Sequence, residues 1–175
     1  MKTTMYLFLS VMLFTACQND CPERYTQNAP EIDTYKQGLV AYESQDWDAM
    51  KANFADDAKI SYNALKGNSQ SVSEVIEGHK SMVSQFSSYG FVPNESEYER
   101  VITDDGEMWV NFWGTWSGVL AATETRVEMP VHLTSKFIDG KIVEEHGYWN
   151  ELILYMAFQE AEAMNAMEEK ELTEE

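Results

Sequence analysis

The chain is poor in cysteine and in positive charge, and it has no apolar run long enough to cross a bilayer. Its two cysteines, Cys17 and Cys21, make no Cys-x-x-Cys pair, and His79, His132 and His146 show no short ligand spacing, so no metal site is predicted. A Gly-rich phosphate loop and a nucleophile elbow are also missing, and the residues point to no cofactor. Twelve Lys and Arg stand against 30 Asp and Glu, a formal charge of −18. Nucleic-acid recognition needs a basic patch, so nucleic acid is excluded as a partner. The apolar stretch Met5 to Phe14 is shorter than the roughly 20 residues of a membrane-spanning helix.

That stretch nevertheless has a recognisable setting. Met1-Lys2 precedes it and Thr15-Ala16-Cys17 follows it, which gives a short positive region, a hydrophobic region of signal-peptide length and small residues before a cysteine. Phe14-Thr15-Ala16-Cys17 resembles the bacterial lipobox, with Phe14 where Leu is usual. The resemblance implies cleavage before Cys17, lipid attachment to that residue, and a membrane-anchored lipoprotein of the bacterial cell envelope, periplasmic or surface-facing. Each buried CH₂ contributes ~0.8 kcal/mol, so several acyl chains anchor stably. An ordinary secretory signal with an incidental cysteine is the alternative. With Cys17 acylated, Cys21 is the only free thiol and can form no internal disulfide. The chain then divides into a leader (1–16), a flexible polar tether (17–30), a globular domain (31–160) and an acidic C-terminal helix end and tail (161–175). From Glu160 to Glu175 there are seven Glu against one Lys, which reads as a solvated tail or an acidic docking segment.

At 44% hydrophobic and 13% aromatic residues, the middle of the chain can build a packed core. Ile32, Tyr35, Leu39 and Tyr42 recur at helical spacing, and Asp46 caps a second short helix with Trp47, Met50 and Phe54 on one side. A short strand is expected at Lys59 to Tyr62. Val72, Val75, Ile76, His79, Val83 and Phe86 mark a third amphipathic helix starting near Ser71 or Ser73, with His79 on its apolar stripe as a core or rim residue or a ligand. Beyond Pro93 the period changes to two. Glu97 to Thr103, Glu107 to Leu120, Glu124 to Phe137 and Lys141 to Trp149 read as strands, with turns at Asp104-Asp105-Gly106 and Asp139-Gly140. Helices followed by an antiparallel meander predict an α+β fold. Trp109, Phe112, Trp113 and Trp116 make one strand aromatic on both faces. One face is expected to meet the helices and the other a second subunit, giving a homodimer.

Three separated pieces carry a family resemblance. Tyr42-Glu43-Ser44-Gln45-Asp46-Trp47-Asp48 with Phe54-Ala55-Asp56-Asp57-Ala58, the segment Phe137 to Glu145, and Tyr148-Trp149-Asn150 resemble nuclear-transport-factor-2-like proteins, SnoaL-like in flavour. The resemblance implies a cone: a strongly bent antiparallel sheet wrapped around N-terminal helices, with a pocket at the wide end. It also shows which chemistry is missing. The ketosteroid isomerase tyrosine falls on Gly38 and its general base on Tyr62. The aspartate of SnoaL-like cyclases falls on Asn150, an amide that neither takes nor gives a proton near neutral pH. Arg126 and Glu128 match two members of the epoxide hydrolase Asp-Arg-Asp set, with Asn150 a poor third.

A two-residue type I′ loop at Asp139-Gly140 sets Leu133 opposite His146, Val131 opposite Tyr148, and Met129 opposite Asn150. The expected inner face is then Met129, Val131, Leu133, Phe137, Ile142, His146, Tyr148 and Asn150. A bulged loop slips this register and brings His132 opposite His146, but the apolar count favours the unslipped version. The sequence thus predicts a greasy pocket lined by Tyr62, Met129, Val131, Leu133, Tyr148 and Asn150, with His146 as the one good candidate for catalytic acid/base. Non-catalytic binding of a small apolar molecule or a protein partner is the first functional reading. An enzyme using His146, of cyclase, isomerase or hydrolase type, and a structural dimerisation module are the alternatives.

Overall fold

The structure is a computed structural model and describes residues 23–65 and 67–174. The leader, Cys17 and Cys21 lie outside the described residues. The elements run β1 (Tyr25–Thr26), α1 (Pro30–Glu43), α2 (Trp47–Ala52), β2 (Phe54–Tyr62), α3 (Val72–Val83), β3 (Phe86–Phe91), β4 (Glu97–Ile102), β5 (Met108–Leu120), β6 (Arg126–Ile138), β7 (Lys141–Trp149) and α4 (Glu151–Glu174). Their local causes are legible. Pro30 opens α1, where a missing N–H costs nothing. Asp46 caps α2 by accepting from the Ala49 amide at 3.0 Å. Ser71 and Glu74 form a reciprocal capping box at the start of α3.

Seven strands form one curved, unclosed sheet in the order β1-β4-β5-β6-β7-β2, and β3 pairs with the far half of β5. The inner face presents Val110, Phe112, Trp116, Met129, Val131, Leu133 and Phe137 to Ile32, Tyr35 and Tyr42 of α1 and to Val75 and Ile76 of α3, all of them buried. Trp109 and Trp113 point the other way, so β5 is aromatic on both faces as expected.

The structure corrects the sequence reading in three places. Phe86, expected on the third helix, begins strand β3, because the helix ends at Val83 and Phe86 packs edge-on against Trp116 with ring centroids 5.1 Å apart. The sheet is not wholly antiparallel, since β2 runs parallel to β7. The tether meets the fold sooner than its sequence suggests: Tyr25–Thr26 pairs with β4, and Arg24 reaches Asp104 at 2.8 Å. At the other end, helix α4 runs into the acidic segment and reaches Glu174. Among the described residues, no helix is long and apolar enough to cross a membrane.

Candidate functional site

The site is set by the β6–β7 hairpin. Asp139 and Gly140 both have positive φ, 50° and 74°, as a type I′ turn requires. Ile138 pairs with Lys141 and Phe137 with Ile142, as predicted. Val143 is then an extra residue. Beyond it Lys136 pairs with Glu144, Ser135 with Glu145, Thr134 with His146, Leu133 with Gly147, His132 with Tyr148 and Val131 with Trp149.

This β-bulge overturns the predicted register, and the slip is on β7 rather than in the turn. Because side chains alternate, one extra residue exchanges the two faces of everything after it. Ile142, Glu145, Gly147 and Trp149 face inward, while Glu144, His146 and Tyr148 face outward. Gly147 supplies a physical reason. A Cβ at that position would come within 2.6 Å of Tyr62, 2.7 Å of Leu133 and 2.8 Å of Trp149. Only a glycine lets these three side chains close over the strand.

The inner face, α1, α3 and the start of α4 enclose a cavity of about 520 Å³. Tyr62, Met129, Val131 and Leu133 line it, together with Tyr35, Tyr42, His79 and Trp149. Glu145 sits in its wall, only 3% exposed. The Tyr62 hydroxyl donates to Oε1 of Glu145 at 2.6 Å, and the Ser135 hydroxyl donates to Oε2 at 2.6 Å. Burial raises the Glu145 pKa, and the hydroxyls of Ser135, Tyr62 and Tyr35 and the nearby His146 pull it back only in part. Burial, and then the Glu145 charge, lift both Tyr35 and Tyr62 well above the ordinary tyrosine value, so both stay protonated donors. His79 packs against Tyr42 and Tyr62, with ring centroids 5.0 and 6.0 Å away. Its burial lowers its pKa to about 4, and it is neutral at physiological pH.

Three predicted site residues are placed elsewhere. His146 lies on the outer face, bonded through Nε2 to Glu144 at 2.9 Å and stacked near Trp109. Tyr148 is half exposed on the same face, stacked beside His132. Asn150 is exposed, and its side chain accepts from the Leu152 amide at 3.1 Å, the work of a helix N-cap. Arg126 and Glu128 also face outward, 3.6 Å apart and exposed, well outside the cavity wall. In their place the structure brings Glu145, Ser135 and Tyr35 together with Tyr62. Glu145 escaped the sequence reading because the unbulged alternation puts it on the outer face, and only the extra residue Val143 turns it inward. Gly147, an unexplained small residue amid bulky ones, was the available signal.

The SnoaL-like domain model matches residues 36–145, from within α1 through β6 to the buried carboxyl on β7. The chain belongs to the SnoaL-like family. Solved structures agree on the fold. A candidate polyketide cyclase, IdmH of Streptomyces antibioticus, is 17% identical, with 74% of this chain and 98% of that one covered at a TM-score of 0.59. A candidate hydroxylase, AclR of Streptomyces galilaeus, is 14% identical over 74% and 96% of the two chains, with a TM-score of 0.59. A nuclear-transport-factor-2-like protein of Burkholderia xenovorans is 14% identical over 75% and 98%, at 0.57. No curated protein matches the sequence. The SnoaL-like match ends at Glu145, so Asn150, the expected acid/base position, lies beyond it.

Proposed function

We propose that this SnoaL-like domain binds a small, largely apolar molecule inside the cone. The observation that carries the reading is the cavity itself: about 520 Å³, walled mostly by aliphatic and aromatic side chains, with one buried carboxyl among them. Small-molecule sites commonly have about 300–1,000 Å³ and a few convergent polar groups, and both conditions are met. The neutral, polarity-sensitive dye Prodan tests the reading. Its fluorescence rises and shifts to the blue with the wild-type domain, and the rise is lost in Val131→Phe and Val75→Phe, which fill the cavity while keeping the circular dichroism of the parent. A wild-type protein that leaves the dye unchanged refutes it.

Proton-transfer chemistry at the same cavity is the second reading, favoured by the buried Glu145 with its two hydroxyl donors. A carboxyl whose pKa moves toward neutrality is a better acid/base than an exposed one. On this reading Glu145 takes the place of His146. Turnover of a polyketide-like or steroid-like ketone by the wild type, with loss in Glu145→Gln, is the expected result, and activity surviving that change refutes it.

The leader supports a further element of the proposal: cleavage before Cys17, acylation there, and residence in the bacterial envelope. Cells fed a clickable palmitate analogue label the wild-type chain and not Cys17→Ser, whereas equal labelling removes this element. The outward Trp109, Trp113, His132 and Tyr148 support a homodimer across the sheet. Trp113 and His132 stack at 4.8 Å, and Trp113 and Tyr148 are 39% and 52% exposed.

A further inference from the structure

We infer that the molecule held in this cavity is an organic cation, an apolar body carrying a protonated amine that pairs with Glu145. The inference rests on the binding reading above and adds the charge of the ligand to it. Three independent observations support it.

The first is the charge inventory of the cavity. Among the described residues, Glu74, Glu145 and Glu151 are in its wall and rim with no Lys or Arg, and the histidine there, His79, is neutral. An anionic ligand would meet carboxylates and no compensating positive charge among these residues. The second is the state of Glu145. Tyr62 and Ser135, both uncharged, hold its two oxygens, and no salt bridge among the described residues includes it. A buried carboxylate without a countercharge is costly, and a cation in the cavity removes much of that cost. The third is the aromatic wall. Tyr35, Tyr42, Tyr62, Phe91, Trp116 and Trp149 line the same space as Glu145. Ring faces attract the substituents of an ammonium centre through their quadrupoles, most strongly where water is excluded. The formal charge of −18 draws cations toward the protein from a distance.

Ionisation of Glu145 is then coupled to binding. The groups facing it are Tyr62 of β2, Ser135 of β6 and Tyr35 of α1, with His146 next to it on β7. Tyr62 and Tyr35 do not lose their protons in the accessible pH range. Amine affinity therefore falls as acidification protonates Glu145.

Calorimetry with 1-naphthylmethylamine and its uncharged isostere 1-naphthylmethanol separates charge from shape. The expected result for the wild type is a preference for the amine of roughly tenfold or more, the scale of one charge pair or a few ring contacts. In Glu145→Gln, which keeps the size and an acceptor oxygen, the amine-to-alcohol preference collapses to within about threefold. The wild-type ratio decides the matter even where that variant fails to fold. Equal affinities, or a tighter alcohol, overturn the cation and leave the apolar site standing. Binding of neither compound overturns both.

Discussion

Replacing Gly147 by Ala places one methyl group where β2, β6 and β7 converge. The new Cβ would lie 2.6 Å from a Tyr62 ring carbon, 2.7 Å from a Leu133 methyl and 2.8 Å from Trp149. None of the three has an easy retreat. Tyr62 is tied through its hydroxyl to Glu145 at 2.6 Å and packs on Trp149 with ring centroids 5.1 Å apart, and Leu133 is 7% exposed. Overpacking of a close-packed site costs about 1–3 kcal/mol. A Tyr62 forced away from Glu145 adds about 1 kcal/mol for the broken hydrogen bond. The expected loss is about 2–4 kcal/mol, or roughly 5–15 °C in Tm for a domain of this size. Urea unfolding at an unchanged m-value measures it. Gly78→Ala is the control of opposite sign: its Cβ meets nothing within 4 Å in helix α3, and removing a helical glycine stabilises by about 0.5–1 kcal/mol. If Gly147→Ala is as stable as wild type, the reasoning is refuted. Without the bulge residue 147 would point away from the core, and an alanine there would be harmless or helpful.

Three further predictions concern titration and assembly. His79 has a folded pKa of about 4 against about 6.5 unfolded, so the unfolded chain takes up a proton that the folded one refuses. Stability at full strength above pH ~6.5 is therefore lost as pH falls toward 4, by at most about 3 kcal/mol, and His79→Phe flattens that slope; identical urea profiles at pH 7 and 4.5 for both proteins would refute it. Glu145 has the opposite sign. Its folded pKa is raised, so its contribution is full below the unfolded carboxyl pKa and is lost as pH rises through the folded value. Glu145→Gln therefore gains on the wild type as pH increases, and a stability difference independent of pH rules this out. Trp113→Lys combined with Tyr148→Lys is expected to convert a dimeric wild type to monomer in sedimentation velocity, and a wild type already monomeric at micromolar concentration removes the dimer.

Local rules carried most of the fold. The period of 3.6 at Ile32, Tyr35, Leu39 and Tyr42, the cap at Asp46, the Ser71–Glu74 box and the Asp139-Gly140 turn each depend on neighbours in sequence, and the structure has all four. The misses are nonlocal. Strand β3 begins three residues after a helix ends, and its Phe86 is strand rather than helix because of Trp116, 30 positions away. Residues 54–58 extend β2 because β7 offers an edge for parallel pairing, which no pattern inside the segment announces. In the site, Tyr62, Met129, Val131 and Leu133 were legible because they precede the bulge or lie on other strands. His146, Tyr148 and Asn150 follow it, and one uncounted residue moved each to the outer face or the helix cap.

The bulge at Val143 is therefore the step that decides what chemistry the cone can hold. In the unbulged register the inner face would carry Glu144, His146 and Tyr148, an imidazole and a phenol beside a carboxyl. With the bulge it carries Gly147 and Trp149, which let Tyr62, Leu133 and Trp149 interlock, and it carries Glu145. In either register one carboxyl stands opposite Ser135, and the bulge makes it Glu145. Two hydroxyl donors offset part of its lost hydration, but hydrogen bonds from uncharged groups do not replace a countercharge, and its pKa stays raised. A fold that needed only packing at this position could place an apolar residue opposite Ser135, as it does at Ile142 opposite Phe137. An acid held at the cavity wall, with its orientation fixed on both oxygens, is placed to act on something that enters the cavity: a proton acceptor or donor on one reading, a cation on the other. The two are read by different assays, the amine-to-alcohol ratio for the cation and ketone turnover lost in Glu145→Gln for proton transfer.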